Sequence, residues 1–201
     1  MPITVRGEVE KAAGPIPATR TMSGTLENFE KGVQLVPPSQ QYKESYIAGI
    51  RELQQEGRYL EVNLEEVERD FATHLHDRFD NGWRTKDGEH VPATTRWLIV
   101  DGKYAGRVSI RHVLSEKLAS TGGHIGYDVV PWARRRGYGK LLLEQALPIA
   151  RSLGITRVLL TCDETNEPSR KIIESCGGKL ENVLDVGEGT PRKMRFWIEN
   201  S

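Results

Sequence analysis

Val129-Val130-Pro131-Trp132-Ala133-Arg134-Arg135-Arg136-Gly137-Tyr138-Gly139-Lys140 is the stretch whose reading decides the fold. A strand ends, a basic and glycine-rich turn follows, and a helix begins. Backbone N–H groups at a helix start have no intrahelical partner, and the helix macrodipole is positive there. Glycines let a phosphate approach the backbone and the arginines add charge, so the segment reads as a phosphate cradle. Two familiar cradles do not fit. A Walker loop needs glycine where Arg134 stands and a hydroxyl where Leu141 stands. The dinucleotide fingerprint has Gly137 and Gly139 but Leu142 as its third member.

Outward from this turn the pattern is of a sheet with helices. Upstream, Gly123-His124-Ile125-Gly126-Tyr127-Asp128-Val129-Val130 reads as a strand ended by Pro131. Before it, Trp97 to Val100 and Arg107 to His112 flank Asp101-Gly102 as a β-hairpin. Helical spacing recurs at Tyr42, Tyr46, Ile50 and Leu53, and again at Leu64, Val67, Phe71 and Leu75, before Asn81-Gly82. Downstream, Leu142, Ala146, Ile149, Ala150 and Leu153 line one side of a helix that Gly154 stops. Pro148 inside it cannot donate to Glu144, which predicts a kink. Arg157 to Cys162 is a strand buried on both faces, and Asn166 to Ser175 a helix with Pro168 in its first turn. Two last strands flank Gly187-Glu188-Gly189. The fold class is α/β (α+β): a mixed, mostly antiparallel sheet flanked by helices in a single domain over residues 32–201.

Residues 1–31 read differently, with Gly14-Pro15-Ile16-Pro17 and Ser23-Gly24-Thr25 breaking any period, and are expected to be a flexible extension. Met22 also reads as a start, so residues 1–21 are expected to be dispensable. Hydrophobic residues make up 37% and charged residues 28%, enough for a core and too much for disorder. Lys+Arg and Asp+Glu number 28 each, so an anion site here must be local, and no nucleic-acid partner is expected. No apolar run reaches the ~20 residues of a membrane span. Two cysteines, Cys162 and Cys176, without a C-x-x-C, suit a reduced, cytoplasmic chain.

Arg134-x-x-Gly137-x-Gly139 resembles the Arg/Gln-x-x-Gly-x-Gly/Ala pyrophosphate signature of the GNAT N-acetyltransferases. It follows a strand ending Val-Val-Pro, opens an amphipathic helix, and precedes an apolar strand and a helix beginning at Asn166; in that family this order is the acetyl-CoA site. The resemblance covers roughly residues 33–200. Gly122 to Tyr127, Leu160 to Asp163 and Asn166-x-x-Ser169-Arg170-Lys171 are similar to a bacterial branch of predicted acetyltransferases. The resemblance implies an N-acetyltransferase that moves an acetyl group from acetyl-CoA, as co-substrate, to a primary amine by direct attack, with no metal. Its alternative is a non-catalytic acyl-CoA-binding module on the same fold. The pyrophosphate would meet Arg134, Arg135, Arg136, Gly137, Tyr138, Gly139 and Lys140, and the pantetheine arm would pair with Val129 and Val130. A backbone N–H near Val129 would stabilise the oxyanion. Asn166 and Ser169 complete the cofactor set.

The sequence departs from the family where many members carry a tyrosine that protonates the leaving thiolate: the seventh residue after Asn166 is Ile173. Tyr127, Ser169 or water would supply that proton, or the thiolate, with a pKa near ~8.5, leaves unaided. Asp128, His124 and Asp163 are the candidate bases. Asp128 and His124 are four apart on a strand and share a face. Each has a structural reading beside the catalytic one: a satisfied histidine, a hydrogen-bonded carboxylate, and a turn cap before Asn166. Asn166 equally reads as a helix N-cap, and the arginine run as a solvated charge cluster. His74 and His76, two apart on a helix, do not face one way, and no metal site is expected. Cys162 and Cys176 read as packing residues. The acceptor, a small-molecule or peptide amine, is not encoded in any pattern, and a homodimer is left open.

Overall fold

The computed structural model describes residues 32–80, 83–84 and 90–201; the expected extension at residues 1–31 and the turn at Asn81-Gly82 lie outside the described residues. In chain order the elements are β1 (Val33–Val36), α1 (Lys43–Gln55), α2 (Leu64–Arg69), α3 (Phe71–Leu75), β2 (Trp83–Arg84), β3 (His90–Val91), β4 (Ala93–Val100) and β5 (Lys103–Arg111). There follow β6 (Ile125–Val129), α4 (Tyr138–Ser152), β7 (Arg157–Asp163), α5 (Glu167–Ser175), β8 (Lys179–Leu184) and β9 (Lys193–Glu199). Two antiparallel sheets carry the molecule, one in the order β1-β4-β5-β6 and the other β7-β9-β8. The crossover through α4 joins them.

The hairpin β4–β5 turns at Asp101 and Gly102, both at positive φ (48° and 77°), the pairing that a two-residue turn with the twist of its strands requires. The strand alternation holds, but the polar face is not solvated. Arg107, Ser109 and Arg111 are all buried, and a register shift between Leu98 and Ile99 re-aims the strand near Ala105. Under that face α1 supplies Tyr46, which stacks on Trp97 at 4.8 Å, with Tyr104 and Phe71 edge-on or tilted around it. Trp97 is fully buried, and this aromatic group anchors α1 to the four-stranded sheet.

The second periodic stretch is one helix in its spacing and two in space. Asp70 leaves the helical region (φ −138°, ψ 78°), and its carboxylate accepts from Thr73 N–H at 3.0 Å and Thr73 hydroxyl at 2.8 Å. An acidic residue that caps the next turn competes with the helix it interrupts. The helix α4 runs through Pro148 and ends as its sequence predicts. Gly154, at φ 82°, donates to Arg151 O (2.9 Å), and Ile155 donates to Ala150 O (3.0 Å), a Schellman closure.

Candidate active site

The strand β6 has one paired edge and one edge that turns away. Arg111 N–H donates to His124 O (2.8 Å) and Val130 N–H to Ala105 O (3.0 Å), with Arg107 opposite Asp128. In an antiparallel ladder that phase gives the backbone of Gly126 and Asp128 to β5, and turns the N–H groups of Tyr127 and Val129 to the other side. There the two sheets meet at a clamp. His124 N–H donates to Leu159 O (2.7 Å), and Leu159 N–H donates to His124 Nδ1 (2.9 Å). Thr161 hydroxyl donates to Thr121 O at 2.7 Å. Beyond the clamp, no strand pairing joins β6 to β7 among the described residues.

At the far end of β6 the chain turns through Pro131–Ala133 into α4. Gly137, at φ 79° with no side chain to cap, is the residue before α4, and Leu141 N–H is the first to reach it, at 3.0 Å to Gly137 O. The N–H groups of Tyr138, Gly139 and Lys140 precede that bond and have no intrahelical partner. Arg135 also holds positive φ, 61°. The turn is therefore pre-shaped to present amides in one direction, which suits a diphosphate. The two glycines differ in purpose. Gly137 needs its backbone freedom, and a Cβ there would meet nothing. At Gly139 a Cβ would sit 2.8 Å from Ile172 Cδ1, so this glycine lets α5 pack closely on α4.

Arg134 is engaged by protein groups. Its guanidinium forms a fork with Glu56 at 2.7 and 2.6 Å, and its Nε donates to Val129 O at 3.1 Å. It ties the end of α1 to β6, while Arg135 and Arg136 are exposed. Val130 is buried, and Val129 flanks the Cβ position of Gly139. Tyr127 lies on the same side, its hydroxyl 3.0 Å from Ser169 Oγ; burial pushes the phenol up to about 12. Asn166 caps α5, accepting from Ser169 N–H at 3.1 Å. Ile173 is buried in the core.

The opposite side of β6 belongs to Asp128. Its carboxylate accepts from Tyr59 hydroxyl and from Arg58, and Arg107 Nη2 lies 3.5 Å away. Tyr59 hydroxyl accepts in turn from Arg107 Nε (2.9 Å) and Nη2 (2.7 Å). Burial works to raise the pKa of Asp128, but Arg107, Arg58 and the Tyr59 hydroxyl hold the carboxyl below the usual carboxylate range. Arg58 and Tyr59 reach it from the turn after α1, where Gly57 (φ 75°) and Tyr59 (φ 55°) both adopt left-handed backbone. None of Arg58, Tyr59 and Arg107 stands out as a site residue in sequence: Arg107 reads as one of the polar positions of an alternating strand, and Arg58 and Tyr59 as part of a turn. Arg78 lies over the Tyr59 ring at 5.4 Å and also lines a cavity of about 410 Å³ with Glu66, Asp70 and His74.

The other candidate bases lie apart. His124 occupies the clamp, with burial and then Arg111 lowering its pKa. Asp163, at the end of β7, is paired with Lys193. Cys162 is buried and its thiol is pushed up to about 11, chiefly by that burial, so it stays protonated. Among the described residues no group of three His, Cys, Asp or Glu is placed to hold a metal ion, and no helix is long and apolar enough to cross a membrane.

Comparison with known proteins gives the same direction. Residues 48–177 match the family model described as acetyltransferase (GNAT) family. None of the curated proteins matches the chain. Among solved structures, the microcin C7 self-immunity acetyltransferase MccE, in complex with acetyl-CoA and AMP, is similar at 16% identity over 85% of this chain and 93% of its own, with a TM-score of 0.60. RimL, the ribosomal L7/L12 alpha-N-protein acetyltransferase in complex with coenzyme A, aligns at 14% identity over 85% and 95%, TM-score 0.59. A GNAT-family acetyltransferase from Streptococcus pneumoniae aligns at 19% identity over 83% and 98%, TM-score 0.57.

Proposed function

Because the chain belongs to the acetyltransferase (GNAT) family, we propose that it transfers the acetyl group of acetyl-CoA, an acyl donor used as co-substrate, directly to a primary amine. The observation that carries this reading is the amide-lined turn at residues 134–140, opening beside the unpaired edge of β6. In it the amides of Tyr138, Gly139 and Lys140 hold the diphosphate, with Arg135 and Arg136 adding charge. The backbone of Tyr127 pairs with the pantetheine arm, and Val129 N–H faces the carbonyl oxygen as charge develops. Arg134 acts by holding the turn in place.

Asp128 stands on the side of β6 away from the cradle; ionised at neutral pH, it attracts and orients the acceptor's ammonium, whose proton passes through water to solvent before the amine attacks. We assign His124 to the clamp and Asp163 to its pair with Lys193. Tyr127, with Ser169, replaces the missing tyrosine. A phenol whose pKa is pushed up to about 12 keeps its proton at neutral pH and stabilises the departing thiolate by donating a hydrogen bond.

Thiol release from acetyl-CoA across an amine panel tests the reading; release that depends on the amine is expected, and is lost in Gly137→Asp. Ile173 favours a second reading, a binding module, and CoA binding without release for any acceptor would establish that instead.

A further inference from the structure

Asp128 has more cationic partners than one carboxylate needs. Arg107, buried beneath it, already supplies a counter-charge and shares the Tyr59 hydroxyl with it. Arg58 is a second guanidinium on the same carboxylate, and 44% of its side chain is exposed. Its hydrogen bond is made through Nη2 alone, and its charge lies 5.8 Å from the Tyr59 ring. Its turn is fixed by left-handed backbone at Gly57 and Tyr59, a conformation that costs about 1 kcal/mol or more at a tyrosine. The turn is thus held so that one buried and one solvent-facing arginine address a single acid.

An acceptor that brings an ammonium to Asp128 must displace Arg58. If the acceptor is a plain amine, the displaced guanidinium is left beside a like charge. If the acceptor carries an acid group near its amine, the two ion pairs exchange: ammonium on Asp128, acid on Arg58, with no charge left over. A guanidinium fork matches a carboxylate or a phosphoryl group in geometry as well as charge. We infer that the acceptor is an amine bearing an adjacent anionic group, carboxylate or phosphoryl, and that Arg58 is the residue that selects it by exchanging Asp128 for that anion. This rests on the acetyl-transfer reading above.

The test uses the full chain, acetyl-CoA and matched acceptors: phenylalanine against phenethylamine, lysine against 1,5-diaminopentane, and alanine against 1-aminoethylphosphonate to separate the two anions. In the first two pairs the acid-bearing member is expected to have a kcat/KM at least 10-fold higher, a preference that like-charge cost alone supports. Arg58→Gln should collapse the ratio, mainly through KM, with the affinity for CoA unmoved, and Arg58→Lys should restore part of it. Equal or better turnover of the plain amines, or a ratio indifferent to Arg58→Gln, overturns the inference. Absence of turnover with every acceptor sinks the transfer reading instead. The inference is then decided by calorimetry with phenylalanine and phenethylamine in the presence of CoA, where tighter, Arg58-dependent binding of the acid supports it and no such difference refutes it.

Discussion

At Asp128 three donors converge on one carboxylate that is only 13% exposed, so removing its charge leaves Arg107 buried without its counter-ion. Asp128→Asn is expected to destabilise the fold by about 3 kcal/mol, read as a lower urea midpoint at pH 7. A carboxyl with a depressed folded pKa stabilises above its unfolded value near ~3.9 and loses that contribution as pH falls through the folded pKa, so the variant should also flatten the stability curve below pH ~4. An unchanged acid limb would show the pair contributes little. The two cradle glycines separate at the same scale. Gly137→Asp should raise the Kd for CoA at least 10-fold by isothermal titration, through backbone strain of about 1–2 kcal/mol and a negative charge beside the diphosphate. Arg134→Ala, whose guanidinium is spent on Glu56 and Val129, should change it about threefold or less. The reverse ranking would place the binding in the side chain.

Between elements, two contacts set how the site opens. Gly139 admits Ile172 of α5 against α4, so Gly139→Ala must push aside an Ile172 Cδ1 that lies 2.8 Å from the new methyl. A loss of about 1–2 kcal/mol is expected, recovered in Gly139→Ala/Ile172→Val, where that Cδ1 is gone; a double-mutant cycle with no coupling would contradict the packing account. At the clamp between β6 and β7, Leu159 is fully buried and its N–H has His124 Nδ1 as acceptor. His124→Leu strands that N–H at a cost of about 1–3 kcal/mol in thermal unfolding, while His124→Asn, whose side-chain oxygen can take the place of Nδ1, should retain most of the stability. A proton on Nδ1 would face that donor, which agrees with the lowered pKa that burial and then Arg111 give the ring.

Over the whole molecule, three histidines are held below their ordinary pKa, each chiefly by burial: His74, down to about 4 and 2.9 Å from the Tyr46 hydroxyl, His112 and His124. A histidine with a depressed folded pKa binds fewer protons folded than unfolded. Its contribution is whole above the unfolded value near ~6.5 and is lost as pH falls toward the folded one. Stability is therefore expected to decline from about pH 6.5 toward pH 4, before the Asp128 cluster titrates. Urea midpoints at pH 7, 5.5 and 4.5 check it, and a flat profile across that window would remove the histidines from the account. Because His74 sits under the Tyr46–Trp97 stack and His124 at the sheet junction, acid should loosen α1 and the clamp between the sheets together.

The sequence by itself determined most of the elements and the glycine-rich turn that opens α4, because both are local. The periods of α1 and α4, the Asp101-Gly102 turn, the glycine stop at Gly154 and the run from Val129 to Lys140 are short-range consequences of sterics and hydrogen bonding. It also marked Asp128, but not what surrounds it. Arg58, Tyr59 and Arg107 reach that carboxylate from sequence separations of 70, 69 and 21 residues, and only the stacking of α1 on β4 and the register of β5 on β6 bring them there. The division follows from range: local propensity acts within a turn or two, whereas a buried ion pair exists only once the sheet has closed and water has left.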